Sequence, residues 1–533
     1  MKKANIITAL GVVAMALGVV ACTEPEPVVK PHKPSDKVDV SDSTLPQAGG
    51  LEKFSFKEGS SDIYPAKDSY YYPIEVEVST KDAATRTWTK MKTRVLANLA
   101  YFTPKQNLTS YATKTNKYGS SLELPRQAAT GRFYVKKIGE RWWLVDPEGY
   151  LHHHRGVNSV RPGSSDRNKT AFNSKFGGDK QQWLSTTRRE LANIGIHSSG
   201  AFSSDDNYKE ILKYNKANPE SPIILCPSFG FLSAFEKAVG NSPDGEDSSR
   251  IGLVLHQNWD SWCKTYVNTT LAPYKGDPNT IAYFSDNEIP FEGSSSGNSK
   301  YILVRLLSLN TSHYAYQGAV EWCKANGVDH TNTSKIYWAT NQKFAGYLAE
   351  KYYSAVSAAT KAFDSQLLYF GTRLHGEPKA NQYILAAAGK YCDVVSINYY
   401  GKWTPQIGVG SGAGARVSEW EKWSGKPFIV TEFYTKGIED SDLSNMSGAG
   451  FAVRNQAARA YAYQHFTLGL LQATNCVGWH WFKYQDDDGS DNDGKPANKG
   501  LFDNNYTLFP YLGRYVKNLN IHTYDLIEFF DSL

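Results

Sequence analysis

Cysteine is scarce in this chain, charge is nearly balanced, and long apolar runs are confined to its first residues. Each shortage closes off a class of function. Six cysteines occur in 533 residues, and no two are spaced as Cys-x-x-Cys. Apart from Cys22, the odd set Cys226, Cys263, Cys323, Cys392 and Cys476 makes neither a disulfide framework nor a zinc site. Cys226, Cys392 and Cys476 stand in apolar, strand-like runs and read as small core hydrophobes. Lys and Arg number 58 against 53 Asp and Glu, so the excess of positive charge is slight and no nucleic-acid footprint is expected. No glycine-rich phosphate loop follows the first apolar strand, no Walker motif occurs and no internal repeat is found, which weakens a nucleotide-binding reading. No cofactor is expected, and no metal.

What is present begins with an apolar run over residues 6–20 behind Lys2 and Lys3, closing on Val19-Val20-Ala21-Cys22. The run is short for a transmembrane helix, which needs about 20 residues. Residues 1–21 read as a bacterial signal peptide. The ending resembles a lipobox, which implies a lipid on Cys22 and a lipoprotein of the cell envelope, touching the membrane through that lipid only. Residues 22–50 are rich in Pro, Asp, Lys and Ser and read as a flexible tether. Residues 51–125 carry strand-like alternation over 72–78 and are expected to form a small β-rich accessory region.

From 126 to 533 the pattern changes. Runs at 132–135 and 141–145 flank Gly139 as a hairpin. Short apolar runs then appear at 151–157, 196–202, 222–226, 280–284, 367–371, 394–397, 427–430 and 476–482, separated by helical periodicities over 183–194, 344–356, 452–471 and 511–519. Eight buried strands between helices, without period-two alternation, match a parallel sheet covered by helices. Eight is the count of a (β/α)8 TIM barrel, an α/β fold. A doubly wound open sheet is the alternative.

In such barrels chemistry sits at the C-terminal strand ends. The fourth strand runs into Ser285-Asp286-Asn287-Glu288 and the seventh into Thr431-Glu432-Phe433-Tyr434. One Glu after a strand is ordinarily a solvated loop residue. Two, on separate strands facing one mouth, suit cleavage of a glycosidic bond, where one carboxyl protonates the leaving oxygen and another attacks as a carboxylate. The Asn-Glu and later Glu resemble the signature of clan A retaining glycoside hydrolases. That resemblance implies Glu288 as acid/base, Glu432 as nucleophile, and Asn287 against the sugar 2-hydroxyl. Asp146-Pro147-Glu148-Gly149, Arg155-Gly156-Val157-Asn158 and Gly478-Trp479-His480-Trp481-Phe482-Lys483-Tyr484-Gln485-Asp486 are similar to β-agarases of glycoside hydrolase family fifty. So is 195–205, although His197 and Phe202 depart from that family's usual residues. The resemblance covers roughly 131–519 and implies a red-algal galactan substrate: agarose, porphyran or a carrageenan, or their oligosaccharides.

Position suggests roles for other strand-end groups. Asn158 and Arg155 are placed to bind a sugar hydroxyl. Tyr399 or Tyr400 is placed to donate to Glu432 and hold it ionised. Trp481 and Trp403 are candidate stacking platforms. Arg373, His375 and Glu377 are candidates to line subsites, with Glu377 as the rival carboxylate. His480 and Asp486 complete the candidate binding set. For each of these, plain packing or a solvated loop is an equally good reading. Arg161, Arg373 and Lys483 are the cations available to a sulfate. The acidic run 486–494 does not fit the EF-hand template and reads as a solvated loop. A non-catalytic, glycan-binding surface lipoprotein is the competing reading, as is a clan A β-glycosidase acting on another β-glycan. Neither endo nor exo action follows from the strands alone.

Overall fold

The structure is a computed structural model that describes residues 52–53, 70–77, 86–96, 115–240, 247–401, 417–446, 448–489 and 496–532. The expected signal peptide, Cys22 and its tether, Trp403 and positions 490–494 of the acidic run lie outside them.

The chain is a mixed α/β protein built on parallel strands, numbered here in chain order: β1 His154–Val157, β2 Ser198–Ser199, β3 Ile224–Leu225, β4 Ala282–Ser285, β5 Leu368–Tyr369, β6 Val395–Asn398, β7 Phe428–Glu432 and β8 Cys476–Trp481. Six pair in parallel in the order β6-β7-β8-β1-β2-β3. The short strand Ser228–Phe229, β4 and β5 form a second parallel group. Two single parallel bridges, Leu225 to Thr280 and Leu374 to Ile397, join the groups at both edges. Every residue of β4, β6, β7 and β8 is buried, which explains why these strands read as continuous apolar runs rather than alternating ones.

The helices begin where the sequence supplies caps. Asp179 accepts from the backbone of Gln181 and Gln182 at the start of Lys180–Asn193, and Asn381 accepts from Tyr383 and Ile384 at the start of Gln382–Tyr391. Trp338–Phe363 packs on Gln382–Tyr391 and on Trp259–Thr270. A Cβ on Gly389 would fall 1.8 Å from the carbonyl of Ser424, so glycine is what lets Gln382–Tyr391 lie against Val417–Ser424.

Two expected elements divide. The run 151–157 contributes Leu151–His152 to an antiparallel sheet with Tyr134–Ile138 and Arg141–Val145, and only then enters β1. The helix expected from 452 starts at Gln456, capped by Asn455, because Ala452–Val453 pairs as a strand with Lys436–Gly437 and with the strand Tyr70–Glu77. That pairing ties the expected β-rich region to the rest of the chain. Val76 faces Val453, and the Arg94 and Leu96 amides donate to His465 Nδ1 and Gln464 Oε1 on Gln456–Gln472. The described part of 51–125 is therefore stitched into the main body. The hairpin of 134–145 brings Leu144 into one apolar cluster with Phe133, Ile281, Phe284, Ile429 and Val477. The five described cysteines are free and buried.

Candidate active site

Left-handed backbone marks one end of the parallel strands. Among the described residues, Ser159, Phe202, Ser204, Asp286, Glu288 and Arg373 all have φ between +52° and +67° and stand just past the C-terminal ends of β1, β2, β4 and β5. A non-glycine residue in this region costs on the order of 1 kcal/mol, and such residues gather where contacts over-determine them.

Glu432 ends β7 and is 5% exposed. Arg373 Nη2 lies 2.8 Å from its Oε1, and the Tyr400 hydroxyl donates to its Oε2. The same guanidinium donates to the Thr431 carbonyl at 3.0 Å and to Asn287 Oδ1 at 2.9 Å. Its carbon lies 4.8 and 5.4 Å from the ring centroids of Phe202 and Phe284. Burial pushes the Glu432 carboxyl up from its ordinary value and nearby Glu288 adds to this, while Arg373 and Tyr400 oppose it by favouring the ionised form.

Glu288 accepts from Asn398 Nδ2 at 2.8 Å, and His375 Nδ1 lies 3.8 Å from its other oxygen. Asn398 is fixed in turn by Thr431 Oγ1, which donates to its Oδ1 at 2.8 Å. Asn287 gives its oxygen to Arg373 and Asn398, so what it can offer a ligand is its Nδ2 pair. His375 meets the Tyr400 ring edge-on at 5.8 Å, and burial together with Lys379 lowers its pKa. Glu288, Glu432, Asn287, Arg373, His375 and Tyr400 thus form one connected group.

Other candidates stand elsewhere. Of the two tyrosines, Tyr400 reaches the carboxylate. Tyr399 touches Glu432 only through its backbone N–H, at 2.9 Å from the Glu432 carbonyl, and its ring packs on Phe466. Asn158 is fully buried and donates to the Thr431 carbonyl at 2.7 Å, so it braces β7 from behind. Arg155 spends its guanidinium on the carbonyls of Gly195, His153 and Gly119. His480 is fully buried, with Nε2 3.0 Å from His154 Nε2. Trp481 is 1% exposed, donates to the Lys499 carbonyl and packs on Phe433, so it is core and not a stacking platform. Asp486 binds Asn498 Nδ2 and the Gly500 amide and holds that loop, and burial raises its pKa to about 7. Glu377 bonds the backbone and hydroxyl of Ser295, away from Glu432.

Two participants were missed. Asn398 carries the same signal as Asn287, a polar residue closing an apolar strand run. Phe202, in sequence only a departure from the family's usual residue, is 37% exposed at the mouth, over Arg373 and edge-on to Phe482. Among the described residues no group of three or more His, Cys, Asp or Glu is arranged to hold a metal ion, and no helix is long and apolar enough to cross a membrane.

No family model matches the chain. β-Agarase B of Vibrio sp. (strain JT0107) is 24% identical over 495 residues, which is 77% of this chain and 50% of that relative. The chain thus spans about half the length of the curated relative it matches. The structure of an exo-β-agarase superposes with a TM-score of 0.62 at 18% identity, over 78% of this chain and 68% of the other, and shows the shared fold. The crystal structure of BpGH50 superposes with a TM-score of 0.79 at 41% identity, over 88% of this chain and 98% of the other. With two strand-end glutamates built into one hydrogen-bonded group and this likeness over nearly the whole of BpGH50, the chain belongs to glycoside hydrolase family fifty, the β-agarase family.

Proposed function

We propose that the chain is a clan A retaining glycosidase that cleaves β-galactosidic bonds in agarose, porphyran or a carrageenan, or in their oligosaccharides. The observation that carries this reading is the unequal company of the two carboxyls. Glu432 is buried against a guanidinium and a phenol hydroxyl, both of which favour its ionised form. Glu288 has an amide donor and a neighbouring imidazole instead. Two carboxyls in different environments are what double displacement requires. Glu432 attacks the anomeric carbon while Glu288 passes its proton to the leaving oxygen. Glu288 then takes a proton from the water that releases the glycosyl group from Glu432. Asn287 Nδ2 is positioned to hydrogen-bond the 2-hydroxyl.

The finer architecture belongs to the same proposal. The bridges Leu225–Thr280 and Leu374–Ile397 support a ring of β1 to β8, the closed (β/α)8 barrel, with the site at its C-terminal mouth. The galactan reading is supported by the β-agarase relatives, and the lipobox-like Val19-Val20-Ala21-Cys22 supports an envelope lipoprotein. Purified protein assayed on agarose, porphyran and carrageenan beside cellulose, mannan and xylan, with sizing of the products, tests the substrate. Activity confined to the second set would overturn the galactan reading.

A further inference from the structure

Arg373 does more than pair with Glu432. A guanidinium carries N–H donors and no acceptor, so any amide atom it bonds is the oxygen. The Asn287 atom 2.9 Å from Arg373 Nη1 is therefore Oδ1. The Asn398 atom 3.3 Å from that oxygen is in turn the nitrogen, because the opposite turn of the amide would set two acceptor oxygens against each other. The same Asn398 Nδ2 stands 2.8 Å from Glu288 Oε1, and its Oδ1 takes the Thr431 hydroxyl hydrogen at 2.8 Å. One donor-only group beside the nucleophile thus orients two amides in succession, and the second of them ends on Glu288.

The two oxygens of Glu288 are consequently unlike. Oε1 is turned inward onto Asn398, which is fully buried. Oε2 stands on the other side, 3.8 Å from His375 Nδ1, and the side chains of His375 and Glu288 are 38% and 31% exposed. In a carboxylic acid the carbonyl oxygen accepts a hydrogen bond better than the hydroxyl oxygen does. The oxygen that receives the Asn398 N–H is then the carbonyl oxygen of protonated Glu288, and Oε2 is its hydroxyl.

We propose that Asn398 is a positioning residue that places the acid proton of Glu288 on Oε2, the oxygen open to the mouth on the His375 side. This rests on Glu288 being the acid/base. In the first half-reaction the Oε2–H bond breaks as the glycosidic C–O bond breaks, the proton passes to the leaving oxygen, and the glycosyl group bonds to Glu432. In the second, Oε2 takes a proton from the water that attacks the glycosyl group and releases Glu432 as carboxylate. Without the Asn398 N–H the proton is free to sit on Oε1, aimed into the space the amide leaves, and the carboxyl is free to turn. A general acid contributes on the order of 10²–10⁴ to a rate, and misdirecting its proton forfeits part of that. A leaving group that departs without a proton does not sense the loss.

The test is the dependence on leaving group. Asn398→Ala and Glu288→Ala are assayed for kcat/KM on an oligosaccharide that the wild-type protein cleaves and on the dinitrophenyl glycoside of the same sugar. For Asn398→Ala the expected result is a fall of about tenfold or more on the oligosaccharide and a value within about threefold of wild type on the dinitrophenyl glycoside. Equal losses on both, as a merely structural role would give, or no loss on either, overturn the proposal. Glu288→Ala is the reference: if it also loses both alike, the acid/base reading fails, and if only Asn398→Ala does so, the proposal fails alone. Should Asn398→Ala not fold, neutron diffraction from wild-type crystals in D2O decides. The expected map has a deuteron of Asn398 Nδ2 directed at Glu288 Oε1 and none on Oε1 itself. A deuteron on Oε1 directed at the Asn398 oxygen overturns the proposal.

Discussion

Arg373 and Glu432 form a buried ion pair, Nη2 to Oε1 at 2.8 Å, with side chains 0% and 6% exposed. Removing one member of such a pair leaves the other charged and unpaired, at a cost of roughly 3–5 kcal/mol. Glu432 is expected to respond by taking up a proton. Arg373→Ala should lower kcat/KM about a hundredfold or more and move its acid limb to higher pH. Steady-state kinetics across pH checks this, and an unmoved acid limb would separate the arginine from the nucleophile.

Tyr400→Phe is a milder form of the same change. It removes the hydroxyl donor to Glu432 Oε2 while keeping the ring that meets His375. Glu432 must be ionised to attack, and its activity is lost as pH falls through its pKa. Without the donor that pKa rises, so kcat/KM at pH 5 should fall by about tenfold, with much less loss at pH 8.

Glu292 is expected to shape stability instead of activity. Its Oε1 accepts from Asn381 Nδ2 at 2.6 Å, its Oε2 is buried without a partner, and burial raises its pKa to about 7. In the unfolded chain a Glu titrates near ~4.3. Between these values the native state holds a proton that the unfolded state has lost, so stability falls as pH rises from about 4 to 7. Glu292→Gln removes that dependence. Its Tm should match wild type at pH 5 and exceed it at pH 8. An equal Tm at both values would show that Glu292 does not titrate as its burial implies.

Cys22→Ala should shift the protein from the membrane fraction to the soluble fraction. Unchanged partitioning, together with an unmodified N-terminal peptide by mass spectrometry, would reject the lipid anchor.

How far the sequence could be read follows from what each signal encodes. Runs such as 394–397 and 427–430 located β6 and β7 because a strand buried on both faces must be apolar throughout. The same uniformity hid orientation. With no alternation in Cys476–Trp481, nothing separated residues facing the mouth from those facing the interior or the helices. Strand-end position alone therefore points His480 and Trp481 at substrate, although both are core. Asn158 followed the rule that polar residues at strand ends face the mouth, but its amide is turned onto Thr431. The glutamates were found because a carboxylate directly after an apolar strand has few purely structural uses. The contact between His154 and His480 could not be found, since the two meet only once β8 lies beside β1. The tie between residues 70–96 and Gln456–Gln472 is likewise a long-range pairing without a local signature.

Capture of the glycosyl-enzyme intermediate tests the central assignment most directly. The protein is incubated with a 2-fluoro-galactoside of an agar oligosaccharide bearing a good leaving group, digested, and its peptides are sequenced by mass spectrometry. The expected adduct is on Glu432, with the first-formed product of the natural reaction retaining its anomeric configuration by NMR. An adduct on Glu377 or Glu288, or no adduct together with an inverted product, would contradict the assignment.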